Sequence, residues 1–101
     1  MPQNFAPELH LHDATLISVE FVWQEGVCKL KFQKWSTEQQ KVAPFVITFN
    51  GVTNLSMPRN EEWGSSMSIN EAKNFNGVFS IEMQSGDVIS IAARDCQIAA
   101  L

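Results

Sequence analysis

Apolar and polar residues alternate along much of the chain with a period of two, which is the pattern of β-strands that bury one face. The clearest example is formed by residues 14–23 and 27–34, which flank Glu25-Gly26. A two-residue turn there makes one face wholly apolar and places Glu20 opposite Lys31 on the other. We therefore predict a hairpin in which five side chains share one buried face: Val19, Phe21, Trp23, Leu30 and Phe32.

The same alternation returns near the end of the chain. Residues 78–84 and 88–93 flank Ser85-Gly86-Asp87, and a three-residue loop there sets Ile81 opposite Ile91. The opposite face is mainly polar, as expected of an antiparallel sheet with one face in water. Beyond this second hairpin, residues 96–101 are suited to a final strand.

The middle of the chain allows two interpretations. Residues 45–49 (FVITF) predict a buried strand, and Asn50-Gly51 after them is the dipeptide most typical of a tight hairpin. A hairpin at this point, however, pairs Phe45 with Ser56 and gives a poor match between faces. Asn50-Gly51 is therefore either a hairpin turn or a bend before a strand at 52–57.

Residues 66–75 also have two possible structures. Ser68 and Glu71 have the spacing of a helix capping box, whereas Met67 and Ile69 alternate with polar neighbours as a strand does. We favour the strand. The whole pattern then predicts a mainly β protein with at most one short helix: a small antiparallel β-sandwich, or a partly open barrel, of about six or seven strands. The chain of 101 residues is expected to form a single β domain, residues 1–101.

Charge and hydropathy narrow the classes of partner. Eleven acidic and seven basic residues give a net charge of −4, which disfavours nucleic acid, because binding its backbone requires clustered Lys and Arg. No stretch reaches the roughly 18–20 apolar residues of a membrane-spanning helix, and the N-terminus has no signal-peptide pattern. A protein partner, or association between copies of the chain, is the remaining expectation.

The two cysteines, Cys28 and Cys96, form no metal-binding or redox motif. Both stand among apolar residues, which is typical of buried, reduced thiols. We therefore predict two thiols and no disulfide, and a cytoplasmic protein.

The strongest candidate for chemistry is the cluster His10, His12 and Asp13. In an extended segment His10 and His12 point to the same side, so they supply two ligands to one metal ion. No further ligand is indicated by spacing, and a protein zinc site needs three or four. We expect His12 and Asp13 to have a structural role at the start of the first strand, with no metal and no cofactor.

A second candidate is the polar segment 58–64, PRNEEWG, which carries Arg59, the pair Glu61-Glu62 and Trp63. Adjacent carboxylates rarely form an acid–base couple, and the chain has neither a nucleophile elbow nor a glycine-rich phosphate loop. Exposed Trp and Arg are residue types that anchor protein interfaces. We interpret Arg59 and Trp63 as binding residues, together with His12 and Asp13 of the first cluster, and predict no catalytic residue.

Three short strings occur together in this chain: LHDATL at residues 11–16, WGSS at 63–66 and EMQSGD at 82–87. In this combination the sequence resembles a group of small, uncharacterised bacterial β proteins with an N-terminal HD-A-x-L signature. Some relatives of that group are classed with immunity proteins of toxin systems. The resemblance extends over about residues 11–98. It implies an all-β fold and a bacterial, cytoplasmic origin, and it assigns no catalytic residue.

These observations favour a non-enzymatic binding or protein-interaction module, with an inhibitor or immunity-type protein as one form of it. The first alternative is a small-ligand or metal-binding protein, even a minor hydrolase, built on His10, His12 and Asp13. The second is a structural subunit of a homo-oligomer, in which an apolar patch or an open edge strand is buried between chains.

Overall fold

Eight strands form two antiparallel sheets in the computed structural model, which describes residues 11–37 and 40–100. The strands are β1 (Thr15–Val22), β2 (Val27–Ser36), β3 (Lys41–Asn50), β4 (Asn54–Ser56), β5 (Ile69–Phe75), β6 (Val78–Met83), β7 (Val88–Ala92) and β8 (Asp95–Ala100). The first sheet has the order β1-β2-β3-β8 and the second β4-β7-β6-β5. The predicted all-β sandwich is confirmed, with eight strands instead of six or seven.

The core consists of the inward-facing residues of both sheets. Because side chains alternate between the two faces of a strand, every second residue is buried from Cys28 to Phe32 in β2 and from Phe79 to Met83 in β6. Across the interface between the sheets, the rings of Phe49 and Phe79 meet edge to face with their centroids 5.1 Å apart. The largest fully buried side chains are Phe32, Phe49, Phe79, Leu30, Ile47, Ile69, Ile81 and Ile91.

The first hairpin has the predicted faces but a different register. Val22 pairs with Val27, so the loop is the four residues 23–26 and the predicted two-residue turn is wrong. The amide of Gly26, at φ +64°, donates to the carbonyl of Val22 at 2.9 Å and closes this longer loop. A shift by two residues keeps each side chain on its face, so Phe21 still packs against the core. Trp23 falls in the loop, is 87% exposed, and the prediction that it is buried is wrong.

The second hairpin differs from its prediction in the same way. Ile81 pairs with Ile89, not with Ile91, and the amide of Met83 donates to the carbonyl of Asp87 at 2.8 Å. The turn is therefore made by residues 84–86, with Gly86 at φ +96°. As a result Asp87 comes to lie at the end of the loop, where its side chain turns inward and is only 7% exposed.

Asn50-Gly51 is a bend that carries the chain from one sheet to the other. Residues after it form β4, which pairs with β7 in the second sheet. The bend is fixed because the carbonyl of Asn50 accepts from the amide of Arg94 at 2.9 Å. Gly51 has φ +65°, and a Cβ there would lie 2.8 Å from Cβ of Arg94. Of the two interpretations of this dipeptide the bend is confirmed, and the strand interpretation of 66–75 is confirmed by β5.

Cys28 and Cys96 are both buried thiols on the inner face of the first sheet. Each is paired with Phe49, from opposite sides, since β3 lies between their strands. Two strand spacings amount to about 10 Å, beyond the roughly 7 Å between Cα atoms that a disulfide can span. Burial also raises the pKa of the Cys28 thiol to about 11, which makes it a poor nucleophile at neutral pH.

Candidate functional site

The sandwich has a groove along the side where the edge strand β1 faces the segment that follows β4. We call this cleft of about 370 Å³ the β1 groove. One wall is β1 from Leu16 to Val19, and the other is the segment 57–67. Met83 and Ile89 of the second sheet contribute apolar surface to the cleft. The groove therefore lies at the junction of both sheets, beside a strand that has a neighbour on one side only along most of its length.

Three large apolar side chains line this groove and remain exposed to solvent. They are Ile17 (44% exposed), Met57 (40%) and Met67 (67%). Ile17 is in this position because the pairing of β1 with β2 is irregular there: Leu16 pairs with Phe32 and Ser18 with Lys31. This β-bulge takes Ile17 out of the strand alternation. Clustered exposed apolar side chains are a feature of interaction sites.

The irregular wall of the groove is fixed by one carboxylate. Asp87 accepts hydrogen bonds from the backbone amides of Asn60 at 2.6 Å and Glu61 at 3.0 Å, and from the hydroxyl of Ser85 at 2.8 Å. The bond from Asn60 is the largest influence lowering the pKa of Asp87, and the bonds from Ser85 and Glu61 act in the same direction. Asp87 is thus ionised at neutral pH and anchors segment 57–67 to the β6–β7 turn.

Trp63 lies on the same turn. Its backbone amide donates to the carbonyl of Ser85 at 3.0 Å. A Cβ at Gly86 would be 3.0 Å from Cδ2 of the indole, so the absence of a side chain at Gly86 lets the ring rest on the turn. The other side of the ring faces outward, since Trp63 is 67% exposed. A rigid aromatic ring with one supported face is well suited to act as a binding anchor.

Arg59 lies at the rim of the β1 groove and is 81% exposed. Its Nε is 3.4 Å from Oε2 of Glu61, and the same oxygen accepts from the hydroxyl of Ser65 at 3.2 Å. An exposed ion pair of this kind contributes little to stability, about 0–1 kcal/mol. The guanidinium of Arg59 therefore remains able to meet an acidic group of a partner.

His12 and Asp13 lie outside the lining of the groove and join β1 to the second sheet. The Nδ1 of His12 is 2.7 Å from the carbonyl oxygen of Asn70, and its Nε2 is 3.4 Å from Oδ2 of Asp13. The side-chain amide of Gln84 donates to Oδ1 of Asp13 at 2.8 Å. Asp13 has φ +66°, a left-handed conformation that Asp tolerates better than most residues. These contacts connect the residues before β1 to β5 and to the β6–β7 turn.

The metal-binding alternative gains no support from this geometry. The Nδ1 of His12 is engaged by the carbonyl oxygen of Asn70, and its Nε2 lies beside a carboxylate oxygen of Asp13. His10 lies outside the described residues. Within residues 11–37 and 40–100, no three His, Cys, Asp or Glu side chains are grouped closely enough to hold a metal ion.

The sequence pattern indicated Arg59 and Trp63 but not the residues that build the groove around them. The local pattern places Asp87 in a loop and gives no sign that its carboxylate accepts from backbone amides 26 and 27 residues away. Ile17 has the same parity as Val19 and Phe21, and only the bulge directs it into the groove. Gly86 is the one residue with a local signal, since a glycine after Ser85 is typical of a turn.

A second cleft, of about 450 Å³, lies further along the same side of the sandwich. It is bordered by the end of β1 at Phe21, by Trp23 and by the residues before and within β4. The ring of Trp23 meets Phe21 edge to face with centroids 6.0 Å apart. The side between β1 and β4 is therefore open at two places, and each has an exposed tryptophan close by.

Comparison with known proteins finds no match: no family model, no curated protein and no solved structure corresponds to the chain. The resemblance to bacterial immunity-type proteins therefore remains a prediction. In the part of the chain that the structure describes, no helix has the length and apolar character to cross a membrane.

Proposed function

We propose that this protein is a non-enzymatic protein-binding module whose binding surface is the β1 groove together with Arg59 and Trp63. The observation that carries the proposal is the set of exposed apolar side chains around the groove, Ile17, Met57 and Met67. Trp63 lies on the same segment, 57–67, as Met57 and Met67, and its ring is 67% exposed and supported on one side by Gly86. An apolar centre with aromatic and Arg anchors is the usual composition of a protein interface.

The wall of the groove supports binding because it is already in place. Hydrogen bonds from Asn60, Glu61 and Ser85 to Asp87 hold segment 57–67 before any partner arrives. A surface that is ordered in advance loses less conformational entropy on association. The expected partner presents apolar side chains to the groove and an acidic group to Arg59.

The carboxylates of the groove favour binding over catalysis. Asp87 has a lowered pKa and three donors, so it is a weak base at neutral pH. Glu61 is engaged by Arg59 and Ser65. An inhibitor or immunity-type protein is the form of binding module that we favour, since such a protein acts by occupying its partner. We assign it to the bacterial cytoplasm, in agreement with two buried thiols too far apart for a disulfide.

The test uses site-specific cross-linking in the cells that make the protein. A photoreactive amino acid replaces Met67 at the groove, and in a control it replaces Val88, which is 39% exposed on the outer face of the second sheet. We expect a protein to be cross-linked from position 67 and not from position 88. A partner found equally at both positions contradicts a site at the groove.

The cross-linked partner is then purified and titrated with Trp63→Ala and with Trp23→Ala as the matched control. Trp23 is also exposed, at 87%, but lies outside the β1 groove. We expect Trp63→Ala to weaken binding by at least about tenfold and Trp23→Ala to leave it unchanged, because anchor residues dominate an interface. Equal affinities for both variants, or a partner whose covalent mass changes on incubation with the protein, contradict the proposal.

A further inference from the structure

The two sheets have four edge strands, and three of these are protected against pairing with another chain. β1 has a bulge at Ile17, and the amide of Leu16 already donates to the carbonyl of Met67 at 2.9 Å. β4 has only three residues. β5 has a bulge at Asn70 and carries the ion pair of Glu71 and Lys73, 3.0 Å apart. Bulges, charges and shortness are the devices by which sheet edges avoid association.

The fourth edge, β8, has no bulge, and its one charged residue, Asp95, stands at its first position. It pairs with β3 over six consecutive residues without an irregularity. From Gln97 to Ala100 it contains no charged residue and no proline, and all four residues are exposed. In the described part of the chain, no strand pairs with its other side. A regular, uncharged, exposed edge presents a row of backbone donors and acceptors to a further strand.

Ile98 marks the apolar centre of this edge. It pairs with Ile47, which is fully buried, and therefore lies on the inner face of the first sheet. Ile98 is nevertheless 46% exposed. The second sheet therefore does not cover the inner face of the first sheet at β8. The side chain of Ile98 points to that inner face but is still partly in contact with water.

We propose that β8 pairs in antiparallel orientation with β8 of a second copy of this chain, about a two-fold axis at Ile98. The first sheet of one copy then joins the first sheet of the other into one continuous sheet of eight strands. The two Ile98 side chains lie side by side and shield each other from water. The side chains of the two paired strands are compatible in this arrangement. Gln97 lies opposite Ala99 of the second copy, and neither residue is charged. A two-fold contact of one surface with itself is the commonest symmetry of protein dimers.

The charges nearest to the axis also permit this pairing. Asp95 is three residues from Ile98, so the two Asp95 side chains of a dimer stand six residues apart along the strands, about 20 Å. At that distance, beyond a Debye length of about 8 Å at physiological salt, their repulsion is screened. The pairing involves few residues and has a small area, so we expect a dissociation constant on the order of 1–100 µM.

The proposal concerns a different edge from the β1 groove and does not depend on the proposed function. Sedimentation equilibrium of the full chain, over a concentration series, is the direct test. We expect a reversible change from monomer to dimer. A chain that stays monomeric up to about 1 mM, or that grows into larger oligomers without stopping at a dimer, overturns the proposal.

Substitutions test whether the dimer forms through β8 or through another apolar surface. Ile98→Lys introduces an inward-pointing charge at the edge and should abolish the dimer, while Val88→Lys on the central strand β7 should leave it intact. Circular dichroism establishes that both variants are folded. If Ile98→Lys does not fold, Ala99→Lys serves instead, since Ala99 is exposed on the outer face. A dissociation constant that is unchanged in the folded β8 variant, or that rises equally in Val88→Lys, contradicts pairing through β8.

A charge rescue tests the register. Ala99→Lys alone should raise the dimer dissociation constant at least about tenfold, and adding Gln97→Glu should restore most of the affinity, because each Lys then faces a Glu of the second copy. Failure of the double variant to recover overturns the axis at Ile98. Hydrogen exchange gives a separate readout: amides of residues 97–100 should gain protection with rising concentration. Protection that is the same at every concentration shows that the edge is covered within one chain and overturns the proposal.

Discussion

The two walls of the β1 groove are built on different physical principles. The regular wall is the strand β1, which is hydrogen-bonded to β2 except at the bulge at Ile17. In β2 the side chains of Cys28, Leu30 and Phe32 are completely buried. The irregular wall, segment 57–67, has little apolar burial and is held by bonds to Asp87 and by the contact of Trp63 with the turn. The regular wall is therefore stabilised by the same packing as the whole domain. We therefore expect the irregular wall to open without unfolding of the domain and to depend on the charge of Asp87.

The largest expected effect is on the regular wall. Phe32→Ala removes a fully buried ring that stacks on Phe45 with centroids 5.3 Å apart, and should lower the free energy of unfolding by about 3–5 kcal/mol. Phe21→Ala should cost less, because Phe21 is only half-buried. Urea denaturation of both variants measures the difference. Equal losses, or no loss for Phe32→Ala, contradict the observed register of the β1–β2 hairpin.

Asp87→Asn should open the irregular wall while the sandwich stays folded. The side-chain amide of Asn has only one acceptor oxygen, so the backbone N–H of either Asn60 or Glu61 loses its hydrogen-bond acceptor. We expect trypsin to cut after Arg59 at least about tenfold faster than in the wild type. Asp95→Asn is the control, since Asp95 is a partly buried carboxylate that accepts from Asn50 elsewhere. Unchanged cleavage in Asp87→Asn would show that other contacts hold the wall.

Acid should distinguish the two walls without any substitution. The pKa of Asp87 is lowered in the folded protein, chiefly by the bond from Asn60. Its contribution is therefore complete above the ordinary carboxylate pKa and is lost as the pH falls through the lowered value. We expect the amide signals of Asn60 and Glu61 to shift together in that acid range while the signals of β2 stay constant. In Asp87→Asn this step should be absent, and its persistence would assign it to another group.

Gly86→Ala should displace Trp63 with a moderate loss of stability. Gly86 has φ +96°, and the added methyl group would meet the indole at 3.0–3.3 Å. We expect a loss of about 1–3 kcal/mol, the usual cost of a residue in a disfavoured backbone conformation. Thermal unfolding measures it. Gly64→Ala is the control for the backbone cost alone, because Gly64 also has a positive φ, +106°, but no atom lies within 4 Å of a Cβ there. A Gly86→Ala variant as stable as Gly64→Ala would contradict the packing of Trp63 on the turn.

The smallest effect on stability is expected for Trp63→Ala, about 0.5 kcal/mol or less, because the ring is 67% exposed. The same variant should give the largest loss of partner binding. A loss of several kcal/mol in thermal unfolding would instead make Trp63 a structural residue of the wall. The separation between stability and binding is therefore the sharpest feature of the proposed site.

The His12–Asp13 pair shows how far a local pattern reaches. Its sequence suggested a structural role or a metal ligand, and in the structure the ring of His12 contacts the carbonyl oxygen of Asn70 and the carboxylate of Asp13. The partners Asn70 and Gln84 are 58 and 71 residues away from the groups they bond. The spacing of residues in the sequence does not predict these contacts. They form because β5 and the β6–β7 turn lie next to the start of β1 in the folded protein.

The alternation of side chains determined by itself that the protein is all-β and which strand residues of each hairpin face the core, except at Trp23 in the loop and at the bulge at Ile17. A period of two is a local property of extended backbone. It determined the register only to within two residues, since a shift by two exchanges neighbours without changing faces. The tertiary structure chose among those registers through the four-residue loop at 23–26 and the turn at 84–86. It also made the β1 groove, which requires a bulge at Ile17 and a carboxylate from another hairpin under segment 57–67. The pattern along one strand predicts neither the bulge nor the carboxylate. Both features depend on contacts between distant parts of the chain.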